Sequence, residues 1–111
     1  MRPVRLRRAI DELEHGGIAM VKAVVLWERA PDPEWYGRHA ELCKQVPGVS
    51  FRAGQIFGSP AGEPDRKQYA EFEFPDRAAF DRGMGSPEMG AAVEDAQTQG
   101  IPFHVYFVEP E

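Results

Sequence analysis

Four segments of the chain are rich in β-branched and aromatic residues, and most of them alternate between apolar and polar positions. This pattern is typical of β-strands that bury one face. The predicted strands are Val21–Glu28, Val49–Phe57, Lys67–Phe74 and Phe103–Val108. The stretch Gly58–Asp65 consists of turn-forming residues, so the second and third strands are expected to form a hairpin with a long tip.

Helical patterns occupy the longer gaps between these strands. Asp32 is suited to cap a helix with Pro33 at its first position, and the helix is expected to run from Glu34 to Gln45. The Pro47-Gly48 pair ends it.

A second helical region lies between the third and fourth strands. Asp76 is expected to cap its first part, which Gly83 and Gly85 would break. Ser86 then caps a second part, which Gly100 ends. The second helix is therefore expected in two pieces.

The resulting order is β-α-β-β-α-β, which is the split βαβ or ferredoxin-like arrangement of the α+β class. It predicts a four-stranded antiparallel sheet with its helices on one face. The other face would carry Tyr69, Glu71 and Glu73 from the third strand. A sheet face with aromatic residues is either hydrated or packed, and we expect it to pair with a second copy of the chain.

The residues before the first strand differ from the rest. The expected domain covers residues 20–111, and residues 1–19 are interpreted as an N-terminal extension. One interpretation takes Met20, which follows two glycines closely, as the natural start. The other takes residues 1–19 as a genuine short helix.

Composition narrows the classes of partner. The net charge is −5, and four of the thirteen basic residues lie in the first eight positions, so the folded part has no basic cluster for nucleic acid. No apolar stretch has the length of a membrane span. Cys43 is the only cysteine, which excludes an intrachain disulfide and fits a reducing cytoplasm.

One histidine stands out on the first helix. The residues that share its face are Trp35, His39, Leu42, Cys43 and Val46. His39 is the polar exception, so it is expected to point inward, where an imidazole needs a hydrogen-bond partner and is suited to move protons. The alternative is a core histidine without chemistry. His39 and Cys43 are only two potential ligands, so no metal site is expected.

Three further residues on the predicted strands have open interpretations. Gln55 is the polar exception on one face of the second strand and is a candidate to orient a ligand. His104 and Tyr106 share a face of the last strand, but alternation alone does not say which face of the sheet that is.

From about residue 20 to 109 the sequence resembles the EthD family. The matching segments are Met20–Lys22, Asp32–Glu34, His39–Leu42, Pro47–Val49, Ala70–Phe74, Asp76 and Ser86–Glu88. The resemblance implies a dimeric α/β barrel, in which two sheets pack by their open faces and each subunit keeps a cavity between sheet and helices. His39 falls on the family's best-marked polar position, in a His-x-Pro-Leu-like motif, although Glu41 replaces the usual proline.

The resemblance also implies a function. We expect a cofactor-independent isomerase, cyclase or oxygenase of a small apolar or aromatic molecule, in degradation or biosynthesis, with His39 as general acid/base. The expected ligand-binding residues are Trp27, Trp35, Tyr36, Gln55, Phe57 and Met89. One alternative is a non-catalytic binding or accessory subunit. Another is a haem-dependent relative with His39 or His104 as axial ligand.

Overall fold

The computed structural model describes residues 20–111. Its elements are β1 (Val21–Trp27), α1 (Pro33–Cys43), β2 (Ser50–Gln55), β3 (Gln68–Phe74), α2 (Arg77–Met84), α3 (Pro87–Gln97) and β4 (Phe103–Val108). The predicted order and the α+β class are confirmed. The interpretation of residues 1–19 lies outside the described residues. None of the helices in residues 20–111 has the length and apolar composition needed to cross a bilayer.

The strands form one antiparallel sheet in the order β2-β3-β1-β4. Ala23 in the middle of β1 pairs with Phe72 of β3 on one side and with Phe107 of β4 on the other. The side chains of these paired positions lie on the face that the helices cover, and Phe72 pairs in turn with Phe51 of β2. This register is the predicted ferredoxin-like arrangement.

The helix starts follow from their caps. The Asp32 carboxylate accepts hydrogen bonds from the backbone N–H groups of Glu34 and Trp35, at 3.1 and 3.0 Å. The Asp76 carboxylate accepts one from Ala79 at 2.8 Å, and the hydroxyl oxygen of Ser86, the N-cap of α3, accepts one from Met89 at 3.1 Å, as the sequence predicts. These bonds satisfy backbone donors that have no partner within the helix.

The prediction that Gly83 breaks the second helix is wrong. Helix α2 runs through Gly83 to Met84, and Gly85 is its C-cap. Gly83 instead allows the helix to pack closely on β3, because a Cβ atom there would lie only 2.3 Å from Cε1 of Phe74. The glycine is required by the contact between helix and sheet, and it does not mark an end of the helix.

The structure also settles the open question about the last strand. Val24 pairs with Tyr106, and Leu26 pairs with His104. These positions alternate with the core residues of β1, so both side chains lie on the open face of the sheet. Tyr106 is 51% exposed there, and His104 Nε2 lies 2.8 Å from a carboxylate oxygen of Glu28.

A charged cluster occupies the other half of the open face, with the buried carboxylate of Glu71 at its centre. The Arg52 guanidinium donates to it at 2.7 Å and the Tyr69 hydroxyl at 2.5 Å. Burial opposes ionisation of Glu71, but these hydrogen bonds and the nearby charges of Lys22 and Arg52 outweigh it and lower the pKa of Glu71. Glu71 is thus a satisfied structural carboxylate.

Candidate functional site

A cavity of about 70 Å³ lies between the covered face of the sheet and helices α1 and α3. Its walls are almost wholly apolar, and the polar side chains that reach it are Tyr36, His39 and Cys43. All three belong to α1, whose inward face carries them at successive turns. The chemistry of the cavity therefore comes from one helix face.

His39 is 5% exposed and has a partner on each side of its ring. Its Nδ1 lies 2.9 Å from Oδ2 of Asp95 on α3. An ionised carboxylate can only accept, so Nδ1 carries the proton and donates to Asp95. The lone pair of the neutral ring is then on Nε2, which is the nitrogen able to take a proton.

Nε2 of His39 faces the thiol of Cys43, whose Sγ lies 3.4 Å away. The two residues are one helical turn apart, which places their side chains side by side. Burial, together with the negative charge of Asp95, raises the pKa of Cys43 to about 12. The thiol is therefore protonated at neutral pH and donates its S–H to Nε2.

Aromatic rings hold the imidazole in this orientation. The Trp35 ring stacks on it, with centroids 4.7 Å apart and an angle of 12° between the planes. Trp27 from β1 meets it edge-on at 6.1 Å and is itself 1% exposed. With both ring nitrogens bonded and its faces packed, His39 has one orientation.

The phenol of Tyr36 is the third polar group at the cavity. Its burial, with a smaller contribution from Cys43, raises the pKa of Tyr36 to about 12, and the nearby Gln68 amide partly opposes this rise. The phenol therefore keeps its hydroxyl proton, which it can donate in a hydrogen bond. Tyr36 is thus a neutral donor beside the cavity at physiological pH.

The predicted ligand-binding residues divide into two groups. Trp27, Tyr36 and Met89 line the cavity together with His39, and Trp35 contacts the His39 ring.

The second group, Gln55 and Phe57, does not line the cavity. Gln55 is exposed at the end of β2, and Phe57, just beyond it, is 100% exposed. The reason is that β2 is an edge strand of the sheet, so its end is less enclosed than the central strands.

Sequence reasoning missed Asp95 and Gln68. Asp95 lies three residues after Ala92 and one before Ala96, both buried on α3, so its place beside the inner stripe was a readable signal. Gln68 is 6% exposed and pairs directly with Gln55 across the two strands. Both glutamines occupy the same face, and only the packing shows which one is buried.

The cavity opens toward solvent between α3 and β4. Val93 and Val105 line it and are also 40% and 44% exposed, respectively. These two valines form an apolar mouth through which a small molecule can enter. Within residues 20–111 the structure groups no three side chains suited to hold a metal ion.

The fold and the cavity define a class of protein, the ferredoxin-like α+β domains with an apolar cavity between sheet and helices. Within that class the chain has an EthD-like fold. It is similar to an ethyl tert-butyl ether D (EthD) family protein from Bacillus halodurans C-125, with 26% identity over 83% of this chain and 99% of that chain and a TM-score of 0.72. No protein-family model and no curated protein sequence matches the chain.

Two further solved structures share the fold alone. One is a dimeric ferredoxin-like protein of unknown function from Jannaschia sp. CCS1, with 19% identity over 81% of this chain and 98% of that chain and a TM-score of 0.60. The other is SnoaB from Streptomyces nogalater, a cofactor-independent oxygenase, with 15% identity over 84% of this chain and 94% of that chain and a TM-score of 0.59.

Proposed function

We propose that this protein transfers a proton to or from a small apolar organic molecule in the cavity, without a cofactor. The observation that carries the proposal is the Asp95–His39 pair, whose Nδ1 to Oδ2 distance is 2.9 Å, at an otherwise apolar cavity. A histidine oriented by a carboxylate is a standard arrangement for a general base.

In this proposal His39 takes the proton on Nε2. Asp95 stabilises the imidazolium that results, because the charge of its carboxylate lies next to Nδ1–H. Tyr36 donates its hydroxyl proton in a hydrogen bond to the oxygen of a developing enolate or phenolate. The apolar walls exclude water and strengthen both interactions. Isomerisation, cyclisation and oxygenation of an activated carbanion all start with this step, and SnoaB is an oxygenase with the same fold.

The volume of the cavity limits the substrate. One water-sized atom takes roughly 10–15 Å³ of such space, so the cavity holds about five to seven non-hydrogen atoms. Substrates larger than a single unsubstituted ring require the mouth at Val93 and Val105 to widen. The first compounds to test are therefore small ketones.

We also propose that the protein is a homodimer that packs through the open sheet face. Tyr106 is 51% and Val108 is 44% exposed on this face, and Val24 and Leu26 lie beside them in register. Burying these side chains removes apolar area from water. The Jannaschia protein of the same fold is dimeric.

Binding without turnover, as an accessory protein in degradation or biosynthesis, is the second candidate function. It is favoured by the fact that both nitrogens of His39 have partners within the chain, Asp95 and Cys43. A ligand must then displace the thiol to reach Nε2.

A buried, free Cys43 also supports a cytoplasmic location.

A haem does not fit this site. The cavity of about 70 Å³ is far smaller than a porphyrin, and both His39 nitrogens are engaged. His104 is paired with Glu28 on the open face.

Hydrogen exchange at carbon tests the proposed reaction. We expect the protein to accelerate exchange of the α-protons of butanone and cyclopentanone in D₂O, followed by NMR. His39→Gln should lower the catalysed rate by about tenfold or more, because glutamine accepts no proton. Glu41→Gln, an exposed change on the same helix, is the control and should leave the rate unchanged. Equal rates for the wild type and His39→Gln would remove His39 from the proposed reaction, whereas affinity for these ketones without any exchange would support the binding function.

A further inference from the structure

The most informative contact in the cavity is the one between His39 Nε2 and the Cys43 thiol. It places Asp95, His39 and Cys43 in one chain of hydrogen bonds, with distances of 2.9 and 3.4 Å. We propose that Cys43 is a nucleophile that captures small α,β-unsaturated carbonyl compounds in the cavity as thioethers. The proposal rests on the pocket of the proposed function and adds a second reactive atom to it.

The arrangement meets the geometric requirements of an activated nucleophile. The thiol lies within hydrogen-bond reach of a base, and a third group orients that base. Cys43 and His39 are fixed relative to each other by α1, and Asp95 reaches the ring from α3. Cys43 also lines the cavity itself, so an electrophile bound there meets the sulfur.

The proposed step balances without any further reactant. The thiol proton moves to Nε2 of His39, and the sulfur forms a bond to the β-carbon of the unsaturated carbonyl compound. The electron pair of the carbon–carbon double bond moves toward the carbonyl oxygen and gives an enolate. The imidazolium of His39 then returns its proton to the α-carbon. The net change is addition of S–H across the double bond.

The Tyr36 hydroxyl completes the site. It lines the same cavity, and a pKa raised by burial to about 12 keeps it a neutral donor. A donor of this kind stabilises negative charge on the enolate oxygen more than it stabilises the neutral carbonyl group. A cysteine that only fills space requires neither a base and its orienting carboxylate nor a second donor.

Burial determines which electrophiles react. Cys43 is 1% exposed, and the cavity admits about five to seven non-hydrogen atoms. Only a compact molecule that passes Val93 and Val105 reaches the sulfur. Until it binds, the thiol is protonated and protected from larger reagents.

The test compares two electrophiles on the intact protein. But-3-en-2-one has the size of the cavity, whereas N-ethylmaleimide is too large for it. Intact-mass spectrometry gives the rate of adduct formation for each, in the folded protein and in urea-unfolded protein. Cys43 is the only cysteine, so subtracting the adducts of Cys43→Ser isolates the thiol. We expect folding to favour but-3-en-2-one over N-ethylmaleimide by about tenfold or more relative to the unfolded chain.

Variants then identify the base and its orienting residue. His39→Gln should lower the rate with but-3-en-2-one by about tenfold or more. Asp95→Asn should lower it as well, and Asp95→Glu should restore part of the rate, which a purely structural role would not predict. Glu41→Gln, whose side chain is exposed on the outer side of α1, should have no effect.

Two outcomes would overturn the proposal. If the thiol of the folded protein reacts with neither reagent, Cys43 has only a structural role. If it reacts equally with both, it is accessible but not selective for compounds that fit the cavity. If the ketones still exchange protons while the thiol is inert, the proposed function stands and only the thiol step fails. Adduct formation without proton exchange supports the thiol step and overturns proton transfer.

Discussion

Nδ1 of His39 and Oδ2 of Asp95 lie 2.9 Å apart, although the two residues are 56 positions apart in the chain. The contact joins α1 to α3 beside the cavity and determines which ring nitrogen of His39 carries the proton and which carries the lone pair. It is the relationship on which both the proposed reaction and the thiol proposal depend.

Replacing Asp95 with asparagine separates its chemical role from its structural role. The charge-assisted hydrogen bond is lost, but the side chain is 30% exposed, so we expect a loss of only about 1 kcal/mol in the free energy of unfolding. Ketone proton exchange should fall by about tenfold or more, because the imidazolium loses its counter-charge. Urea unfolding and NMR exchange measure the two effects. An exchange rate that follows the fraction of folded protein would indicate a structural role alone.

Gly83 offers a stability test of the contact between helix α2 and the sheet. In Gly83→Ala the new methyl group would lie 2.3 and 2.8 Å from two ring atoms of Phe74, so we expect a destabilisation of about 1–3 kcal/mol from overpacking. Gly90→Ala in α3 is the matched control, since nothing lies within 4 Å of its Cβ, and it should stabilise the protein by about 0.4–1 kcal/mol. Similar unfolding midpoints for the two variants would contradict the close packing.

Glu71 should make the free energy of unfolding decrease at acid pH. Its pKa in the folded protein lies below the ordinary value of 4.5, so the unfolded chain binds the proton more readily. Its stabilising contribution is therefore complete above pH 4.5 and is lost as the pH falls through the lowered pKa. Glu71→Gln should flatten this acid limb in urea unfolding measured from neutral pH downward. The exposed Glu94→Gln is the control and should leave the limb unchanged.

The thiol of Cys43 should have the opposite effect and lower the free energy of unfolding at alkaline pH. Its pKa is raised from 9.0 to about 12, so the folded state favours the neutral thiol. The contribution to stability is complete below pH 9 and is lost as the pH rises toward 12. Ultraviolet difference spectra against Cys43→Ser should show thiolate near pH 10 only in the unfolded protein. Thiolate in the folded protein at that pH would contradict the burial of the sulfur.

Val24 tests the proposed dimer, because it lies in β1 between Glu71 and Tyr106 on the open face. We expect light scattering at micromolar concentration to give a dimer for the wild type and a monomer for Val24→Lys, since an unpaired charge is costly inside an interface. Glu94→Lys on α3 should remain dimeric. A monomeric wild type would remove the dimer proposal.

The sequence predicted the elements well because the signals that define them are local. Asp32, Asp76 and Ser86 cap helices through contacts with residues two or three positions away. The inward position of His39 follows from the helical period in the same way. The prediction that Gly83 breaks a helix is wrong because the role of this glycine depends on Phe74, which lies on another element.

Local signals in the sequence predict the β-α-β-β-α-β order of elements, the helix starts and the inward-facing imidazole of His39 beside Cys43. Three features depend on tertiary packing instead: Asp95 is the partner of His39, Gln68 rather than Gln55 is buried, and His104 lies on the open face. The physical reason is distance along the chain. Periodicity and capping act within a few residues, whereas these contacts depend on how α1 packs against α3 and on the register between strands.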